Sequence, residues 1–235
     1  LLSVSVDGYK KHHDIIRKKQ GLWDNIFDCL YFLDEEKSKN NKKRPLVDIK
    51  SVVLEDNLDD LPKIYKEAAK ANADFYSLSF KRNNFLRQNS ELKDSLSTEF
   101  YEDTYPLVKY FDEKHFREVY KELESISKNV RTKLRYAPKF NPSGDEEKIL
   151  KYFSAYDKDV REIYYPCNIP FSSIFITPEG DVYPCLSVKL GNVKEDKIQK
   201  VINSSEYKAF LLQLKKRKIF NACQLCCDSY VKDNF

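Results

Sequence analysis

The stretch Ile174-Phe-Ile-Thr-Pro-Glu-Gly-Asp-Val-Tyr-Pro-Cys185 has the pattern of a β-hairpin that ends on a cysteine. Two short runs of β-branched and aromatic residues lie on either side of Pro178-Glu179-Gly180. Glycine there supplies the positive φ angle that a tight turn often requires. The sequence therefore predicts a hairpin whose second strand positions the thiol of Cys185.

Three more cysteines flank this hairpin and complete a candidate metal site. Cys167 precedes Cys185 with seventeen residues between them, and Cys223-Gln-Leu-Cys226 follows a helical stretch. Two cysteines separated by two residues can bind one metal centre without backbone strain. Four soft sulfur ligands suit zinc or an iron-sulfur cluster and do not suit magnesium or calcium. The spacing leaves open whether the metal is a cluster or structural zinc, and whether Cys226 or Cys227 is the fourth ligand.

Composition restricts the class of protein. The chain has 235 residues, enough for one large or two small domains that each bury a core. A net charge of +4 is far below that of a dedicated nucleic-acid-binding domain, so we expect no nucleic-acid partner. No apolar run approaches the roughly 18 residues of a membrane span, and we expect no membrane contact and a cytoplasmic location. Five of the six cysteines follow residue 166, unlike the short cysteine-dense scaffolds that disulfides hold together.

The N-terminal half alternates between strand and helix patterns. β-type runs at 2–6, 46–54 and 74–80 alternate with helical apolar faces at 11–33 and 61–69. This order is typical of parallel βαβ units, whose ligands bind at the carboxyl ends of the strands, where Asp7 lies. A helix at 116–126 and a strand at 130–136 follow an unpatterned stretch at 81–114. After the hairpin, Ser204-Ser205 can divide a helical region at 198–214 into two helices.

Several reactive or charged residues are predicted to have structural roles. Cys29 lies next to an apolar helix face and is predicted to be buried in the core. His12, His13 and His115 have no second ligand at metal-binding spacing and are predicted to be surface or capping residues. The basic stretch 37–44 is predicted to be a solvated loop between a helix and a strand.

Two groups of motifs together resemble radical S-adenosylmethionine (SAM) enzymes. Cys167, Gly180, Cys185, Leu190-Gly-Asn192 and Cys223-x-x-Cys226 resemble the C-terminal cluster-binding extension of that family. The resemblance is to its shorter twitch form with one auxiliary [4Fe-4S] cluster, rather than to the full SPASM form with two. Independently, Ser5-Val-Asp-Gly8 with His13-Asp-Ile-Ile-Arg17 resembles the fourth strand and following helix of the family's partial barrel. The similarity covers residues 1–80 and 160–230.

This resemblance implies roles for individual residues. Ser5 and Arg17 would contact the SAM co-substrate, Arg17 through the SAM carboxylate. Asp7 would shape the SAM pocket, and the apolar side chain of Leu78 would pack beside the adenine. The four cysteines Cys167, Cys185, Cys223 and Cys226 would hold the auxiliary cluster. From the residues alone, Asp7 can equally end its strand through a side-chain to backbone hydrogen bond, and Arg17 can equally pair with Asp14.

One departure from the family decides what this chain can do alone. The segment C-x-x-x-C-x-x-C, which holds the SAM-cleaving [4Fe-4S] cluster in the family, does not occur in the sequence. The sequence also contains no methionine and opens within a strand pattern. We therefore expect the C-terminal portion of a longer enzyme, inactive by itself, with the second [4Fe-4S] cluster in a missing N-terminal segment.

The predicted fold class is α/β. The C-terminal half of a partial (β/α)6 radical SAM barrel is predicted at 1–136, a linker at 137–160, and a small α+β twitch domain at 161–235. The predicted function is radical-mediated oxidation or modification of a carbohydrate-like or peptide substrate. The auxiliary cluster would relay electrons, and a flavodoxin or ferredoxin would serve as electron donor. The alternative is a non-catalytic four-cysteine zinc or iron-sulfur module that binds a protein partner.

Overall fold

The computed structural model describes residues 1–80, 112–137, 162, 164–185, 188–220, 223, 226 and 229–232. Most of the unpatterned stretch at 81–114, nearly all of the predicted linker and Cys227 lie outside the described residues. The chain divides into two compact units; the described residues up to 137 belong to the first and those from 162 onward to the second. Within these ranges no helix is both long and apolar enough to cross a membrane.

A four-stranded parallel sheet forms the centre of the first unit. Its strands are β1 (Leu2–Ser5), β2 (Val47–Val53), β3 (Phe75–Phe80) and β4 (Lys133–Ala137), and they are neighbours in that order. Between them in sequence lie the helices α1 (Lys11–Ile16), α2 (Leu22–Lys39), α3 (Leu61–Lys70) and α4 (Glu113–Ser127), with a 3₁₀ turn at Glu55–Asp60. Parallel neighbours joined through helices confirm the predicted βαβ units.

The two faces of this sheet differ in chemistry. Paired residues of parallel strands share a face, so the rows Val4, Ile49, Tyr76, Leu134 and Ser5, Lys50, Ser77, Arg135 lie on opposite faces. On the face of the first row, Tyr76 stacks on Tyr65 of α3, with ring centroids 5.1 Å apart. Tyr136 of that same face lies 6.1 Å from the ring of Tyr120 on α4. We call the face of Val4, Ile49, Tyr76 and Leu134 the helix-covered face. The face of Ser5, Lys50, Ser77 and Arg135 is called the polar face.

The predicted single helix at 11–33 is wrong, because the chain separates into α1 and α2 at Gly21. Gly21 has a φ of +73°, a conformation that glycine adopts without a steric penalty. Asp14 accepts hydrogen bonds from the backbone N–H groups of Gly21 (2.6 Å) and Trp23 (2.9 Å), which satisfies donors at the start of α2. Since α2 continues to Lys39, the first residues of the predicted loop at 37–44 are helical.

Cys29 is exposed on α2, and the prediction that it is buried in the core is wrong. The buried residues of α2 are Trp23, Phe27 and Leu30, which form one stripe. Cys29 lies two residues beyond Phe27, about 200° around the helix. Its side chain therefore lies outside the buried stripe.

The second unit combines a small antiparallel sheet with two helices. Strands β5 (Phe175–Ile176), β6 (Asp181–Tyr183) and β7 (Gly191–Asn192) are neighbours in that order, which confirms the predicted hairpin. A 3₁₀ turn at Ile169–Phe171 precedes them, and α5 (Ile198–Ile202) and α6 (Ser205–Arg217) follow. The Ser204 hydroxyl accepts the Tyr207 N–H at 3.1 Å and so caps α6. The helical region is therefore divided where the sequence predicts.

A glycine and an asparagine hold the hairpin turn. Gly180 has a φ of +92°, as the turn prediction requires. Asn192 donates through Nδ2 to the Glu179 carbonyl (3.1 Å) and to Asp181 Oδ1 (2.7 Å), and its Oδ1 accepts the Lys194 N–H (2.8 Å). A Cβ atom at position 180 would lie only 2.8 Å from that Oδ1. Asn192 thus closes the turn, and only glycine at position 180 leaves room for its side chain.

We expect Gly180→Ala to destabilise the second unit by about 1–3 kcal/mol, because it adds strain at a positive φ and displaces Asn192. Urea denaturation measures the change. Gly21→Ala is the matched control, since Gly21 also has a positive φ but an added Cβ would meet nothing within 4 Å. This control should cost only the backbone strain, about 1 kcal/mol. Equal losses in the two variants would contradict the role given to the Asn192 contact.

Candidate functional site

The four predicted ligand cysteines come from three segments of the second unit. The Cys167 N–H donates to the carbonyl of Lys218 at 2.9 Å, which attaches the first segment to the end of α6. Cys185 follows β6 of the hairpin. Cys223 and Cys226 lie in the turn after α6, where the Cys226 N–H donates to the Cys223 carbonyl at 3.1 Å.

Three of these cysteines pack against one hydrophobic cluster. Four buried side chains on and just after α6 form this cluster: Tyr207, Phe210, Leu214 and Phe220. Cys167, Cys185 and Cys223 all contact it. The apolar spacing of α6 therefore brings cysteines that are distant in sequence to a common core.

The thiol of Cys223 interacts with all three other candidate ligands. Burial raises the pKa of Cys223 well above its usual value, and the charges of Cys185, Cys226 and Cys167 raise this pKa further. The other three thiols are thus within electrostatic range of Cys223. Several thiolates cannot be gathered in a buried place without a compensating cation, so the donor set fits a group that supplies positive charge to several sulfurs, as iron or zinc does.

The sulfur atoms are neighbours without being arranged as ligands. Among the described residues, no group of three or more His, Cys, Asp or Glu side chains is close enough to hold a metal ion as it stands. No two cysteines of the described part of the chain are joined in a disulfide. The ligand set Cys167, Cys185, Cys223 and Cys226 thus stays a prediction, with its members beside a shared core. The choice between Cys226 and Cys227 also stays open, since Cys227 lies outside the described residues.

In the first unit, Asp7 connects the carboxyl end of β1 to β2 and to the segment after α1. Its Oδ1 accepts the Val52 N–H at 2.8 Å, and its Oδ2 accepts a charge-assisted hydrogen bond from Nη2 of Arg17. The Asp7 side chain is 8% exposed, whereas that of Arg17 is 39% exposed. Arg17 is thus paired with Asp7 rather than with Asp14. Its guanidinium is held at the strand end and has further N–H donors for a ligand.

Asn57 completes this strand end, and the sequence did not reveal that role. It is fully buried, and its Nδ2 donates to the carbonyls of Asp7 (2.7 Å) and Val52 (2.8 Å). Its Oδ1 accepts the Leu54 N–H at 2.9 Å. Asn57, Asp59 and Asp60 come just before α3, and only the tertiary structure shows that Asn57 reaches back to the strands.

Of the two predicted positions for His13, surface or capping, the surface position is wrong, because the side chain is fully buried. The His13 Nδ1 accepts the Asp7 N–H at 3.2 Å and so supports the same end of β1. Burial lowers the pKa of His13, the Arg17 charge lowers it further, and Asp7 and Asp14 oppose this shift. The other two histidines are paired with aspartates at partly exposed positions: His12 with Asp60 and His115 with Asp59.

We expect the first unit to lose stability as the pH falls below about 6.5. The folded chain favours neutral His13, whereas the unfolded chain takes up a proton near pH 6.5, so the unfolded state binds more protons below that pH. The free energy of unfolding should then fall by up to about 1.4 kcal/mol per pH unit until the folded pKa is reached. Urea denaturation between about pH 7.5 and about pH 5.5 measures this slope. His13→Gln keeps an acceptor for the Asp7 N–H and should flatten the slope; an unchanged slope would contradict the assignment.

Ser5 and Leu78 lie on opposite faces of the parallel sheet. Ser5 pairs with Lys50, and Lys50 pairs with Ser77, so all three are on the polar face. Leu78 is the next residue along β3, lies on the helix-covered face and is 1% exposed. Ser5 is the last residue of β1, close to Asp7, which holds Arg17. Leu78 does not lie on the polar face with Ser5. An adenine contact for Leu78 stays a prediction that the strand register does not favour.

Comparisons with known proteins agree with this organisation. Residues 167–228 match the family model of SPASM, the iron-sulfur cluster-binding domain. Streptococcus suis SuiB has a similar structure, with a TM-score of 0.51 and 12% identity over 96% of this chain and 49% of the SuiB chain. SuiB bound to S-adenosylmethionine matches with a TM-score of 0.50 and 12% identity over 89% of this chain and 43% of SuiB. SuiB bound to its precursor peptide SuiA matches with a TM-score of 0.50 and 11% identity over 88% and 43%. No curated protein sequence matches this chain significantly.

The fold and the cysteine segment agree on one class of protein. The chain is a mixed α/β protein with a fold similar to that of SuiB, and residues 167–228 match the SPASM iron-sulfur cluster-binding domain. These findings confirm the resemblance to a radical SAM enzyme with a C-terminal SPASM-like domain. The chain spans less than half the length of the SuiB chains that it matches.

Proposed function

We propose that this chain is the part of a radical SAM enzyme that supplies one side of the SAM site and an auxiliary [4Fe-4S] cluster. The observation that carries the proposal is the convergence of Cys167, Cys185 and Cys223 on one hydrophobic cluster, within the segment that matches the cluster-binding family. Cys226, whose N–H donates to the Cys223 carbonyl at 3.1 Å in the same turn, is the proposed fourth ligand. Residues 1–136 would be the C-terminal half of the partial barrel and 161–235 a twitch domain, joined by the linker at 137–160.

An auxiliary cluster held by four thiolates has no open iron position for a substrate, so the chemistry that it supplies is electron transfer. The protein sets the potential through burial, hydrogen bonds to the sulfurs and nearby charge. In this chain the hydrophobic cluster formed by Tyr207, Phe210, Leu214 and Phe220 would exclude water from one side of the cysteine sulfurs. A flavodoxin or a ferredoxin is the proposed electron donor, and an oxidative modification is the proposed outcome.

The carboxyl end of β1 would bind SAM. Arg17, oriented by the buried carboxylate of Asp7, would donate hydrogen bonds to the SAM carboxylate. Ser5 would offer its hydroxyl from the polar face, where it is exposed. SAM, when cleaved at the C-x-x-x-C-x-x-C cluster that this sequence lacks, supplies the radical that abstracts hydrogen from the substrate. We therefore propose that this chain alone does not cleave SAM.

A peptide is the substrate class that we propose over a carbohydrate. Its support is that SuiB, which shares the fold, has been observed with its precursor peptide SuiA. The polar face of the sheet offers a peptide a surface of hydroxyl and charged groups.

We propose the cytoplasm as the location of the protein. The cysteines in the described part of the chain form no disulfide with one another. Free thiols that assemble an iron-sulfur cluster suit a reducing compartment.

Anaerobic reconstitution with iron and sulfide tests the proposal. We expect a brown protein with broad visible absorption and about four iron and four sulfide ions per chain. A colourless protein that retains about one tightly held zinc ion would support instead a non-catalytic four-cysteine module that binds a protein partner. Protein that retains neither metal would contradict both functions.

A further inference from the structure

The polar face of the parallel sheet has an excess of positive charge that the SAM and cluster sites do not use. The register places the rows Asp48, Phe75, Lys133 and Lys50, Ser77, Arg135 side by side on this face. Its charged residues on the four described strands are therefore three cations and one carboxylate. A surface of this sign attracts an anionic ligand.

Lys50 is supported from below by a buried polar pair. Asp48 is only 2% exposed, and its Oδ1 accepts a hydrogen bond from the Ser77 hydroxyl at 2.6 Å. The Lys50 ammonium lies 3.7 Å from Asp48 Oδ2, while the Lys50 side chain remains 46% exposed. Because a buried carboxylate is costly unless it is paired, this arrangement holds the ammonium at a fixed place on the face. The ammonium has three donors, so it can also bind a second acceptor on its exposed side.

Arg135 is supported by an aromatic ring. Its guanidinium carbon lies 3.1 Å from the centroid of the Phe75 ring, as a cation-π contact requires. A guanidinium over a ring face contacts it without using its N–H donors, which stay available for a ligand. A guanidinium in this state is suited to bind a carboxylate through two parallel hydrogen bonds.

The two cations can reach one ligand. Lys50 on β2 and Arg135 on β4 belong to one row, separated by β3, so their backbones are about 10 Å apart. Ser77 lies between them, and Ser5 on the proposed SAM side of the same row lies next to Lys50. Two long side chains can close such a gap around a carboxylate, with the Ser77 position beneath it.

We propose that this row binds an acidic side chain of the peptide substrate, with Lys50 and Arg135 as the residues that determine this specificity. The proposal rests on the proposed function, because that function supplies the peptide. A carboxylate on the peptide would accept hydrogen bonds from both cations, which places a neighbouring peptide residue on the row that begins at Ser5. The rival source of a carboxylate on this face is SAM itself.

Binding of two fluorescently labelled synthetic peptides, identical except for Asp against Asn at the same positions, tests the proposal by anisotropy with the full chain. The wild-type chain should bind the Asp peptide more tightly. Lys50→Gln with Arg135→Gln should weaken binding of the Asp peptide about tenfold or more, equivalent to about 1.4 kcal/mol, and leave the Asn peptide nearly unchanged. The matched control is Lys39→Gln with Lys66→Gln, which removes the same charge from exposed ion pairs on α2 and α3. This control should change binding less than about twofold.

A charge reversal protects the test from loss of folding. Arg135→Glu, which leaves the pairing of Lys50 with buried Asp48 intact, should bind a matching Lys peptide more tightly and the Asp peptide more weakly than the wild-type chain does, a change of preference that an unfolded chain cannot produce. Equal weakening in the control pair, or no change in either variant, would overturn the proposal. Displacement of the Asp peptide by excess SAM would assign the row to the co-substrate and would also overturn it. These measurements need no iron, so their failure leaves the reconstitution result intact, and the reverse holds as well.

Discussion

Replacing Cys223 with alanine is expected to remove most of the iron from the reconstituted chain. Cys223 contacts the same hydrophobic cluster as Cys167 and Cys185, so its loss removes one of the four predicted ligands from that common core. A [4Fe-4S] cluster needs a ligand on each of its irons, so deleting one of four thiolates weakens its retention. Iron should fall from about four ions to below about one ion per chain. Cys185→Ala should produce the same loss, because Cys185 contacts the same hydrophobic cluster from the hairpin.

Cys29→Ala is the matched control for these two variants. Cys29 is an exposed thiol on α2 in the first unit, and its removal should leave the iron content unchanged. Equal iron loss in all three variants would contradict the ligand assignment. Cys223→Ser separates ligation from packing, because it keeps the size of the side chain. Phe210→Leu provides the opposite case, since it weakens the core and deletes no ligand. It should lower stability by about 1–3 kcal/mol and retain iron.

The elements that the sequence predicts well are those set by local residues. Gly180 specifies the hairpin turn through its positive φ, and Ser204 specifies the start of α6 through its capping hydroxyl. The strands at 2–6, 46–54 and 74–80 follow from short β-type runs, and the structure has β1, β2 and β3 within those ranges. Each of these signals acts over a few residues, so no tertiary information is needed.

The wrong predictions arise where one residue decides the end of a helix or the side on which a side chain lies. A single helix predicted at 11–33 misses the break at Gly21, so the bounds of α1 and α2 are wrong. Cys29 lies one residue from buried Leu30 and is nevertheless exposed. Leu78 lies one residue from Ser77 and therefore faces the opposite side of the sheet, since side chains alternate along a strand.

The candidate sites show the same division between local and long-range information. The spacing of Cys223 and Cys226 predicts a shared metal centre, because both residues are in one turn. The pairing of Asp7 with Arg17, the support from His13 and the contact from Asn57 join three segments of the chain. No local pattern distinguishes these residues from ordinary surface polar residues. Only the resemblance to a family assigned Arg17 a ligand, and only the structure shows how Asp7 holds it.

Arg17→Gln is expected to weaken binding of SAM by about tenfold or more in the full chain. Arg17 is the partly exposed cation at the end of β1, and a charge-assisted hydrogen bond to a carboxylate contributes about 1.5–3 kcal/mol. Asp7→Asn should weaken binding less, because the amide still accepts the Val52 N–H while the orientation of Arg17 is lost. Arg17→Lys should lie between the two, since it keeps the charge and loses the planar fork of donors. Calorimetric titration of the chain with SAM measures all three.

Arg131→Gln provides the charge-matched comparison for Arg17→Gln. Arg131 is 78% exposed in the same unit and contacts Asp74 at 3.4 Å, so its loss removes one positive charge without touching the end of β1. SAM affinity should then change by less than about twofold. If Arg17→Gln weakened SAM binding no more than Arg131→Gln does, the guanidinium at the strand end would have only its structural pairing with Asp7. The SAM site would then have to be sought elsewhere on the polar face.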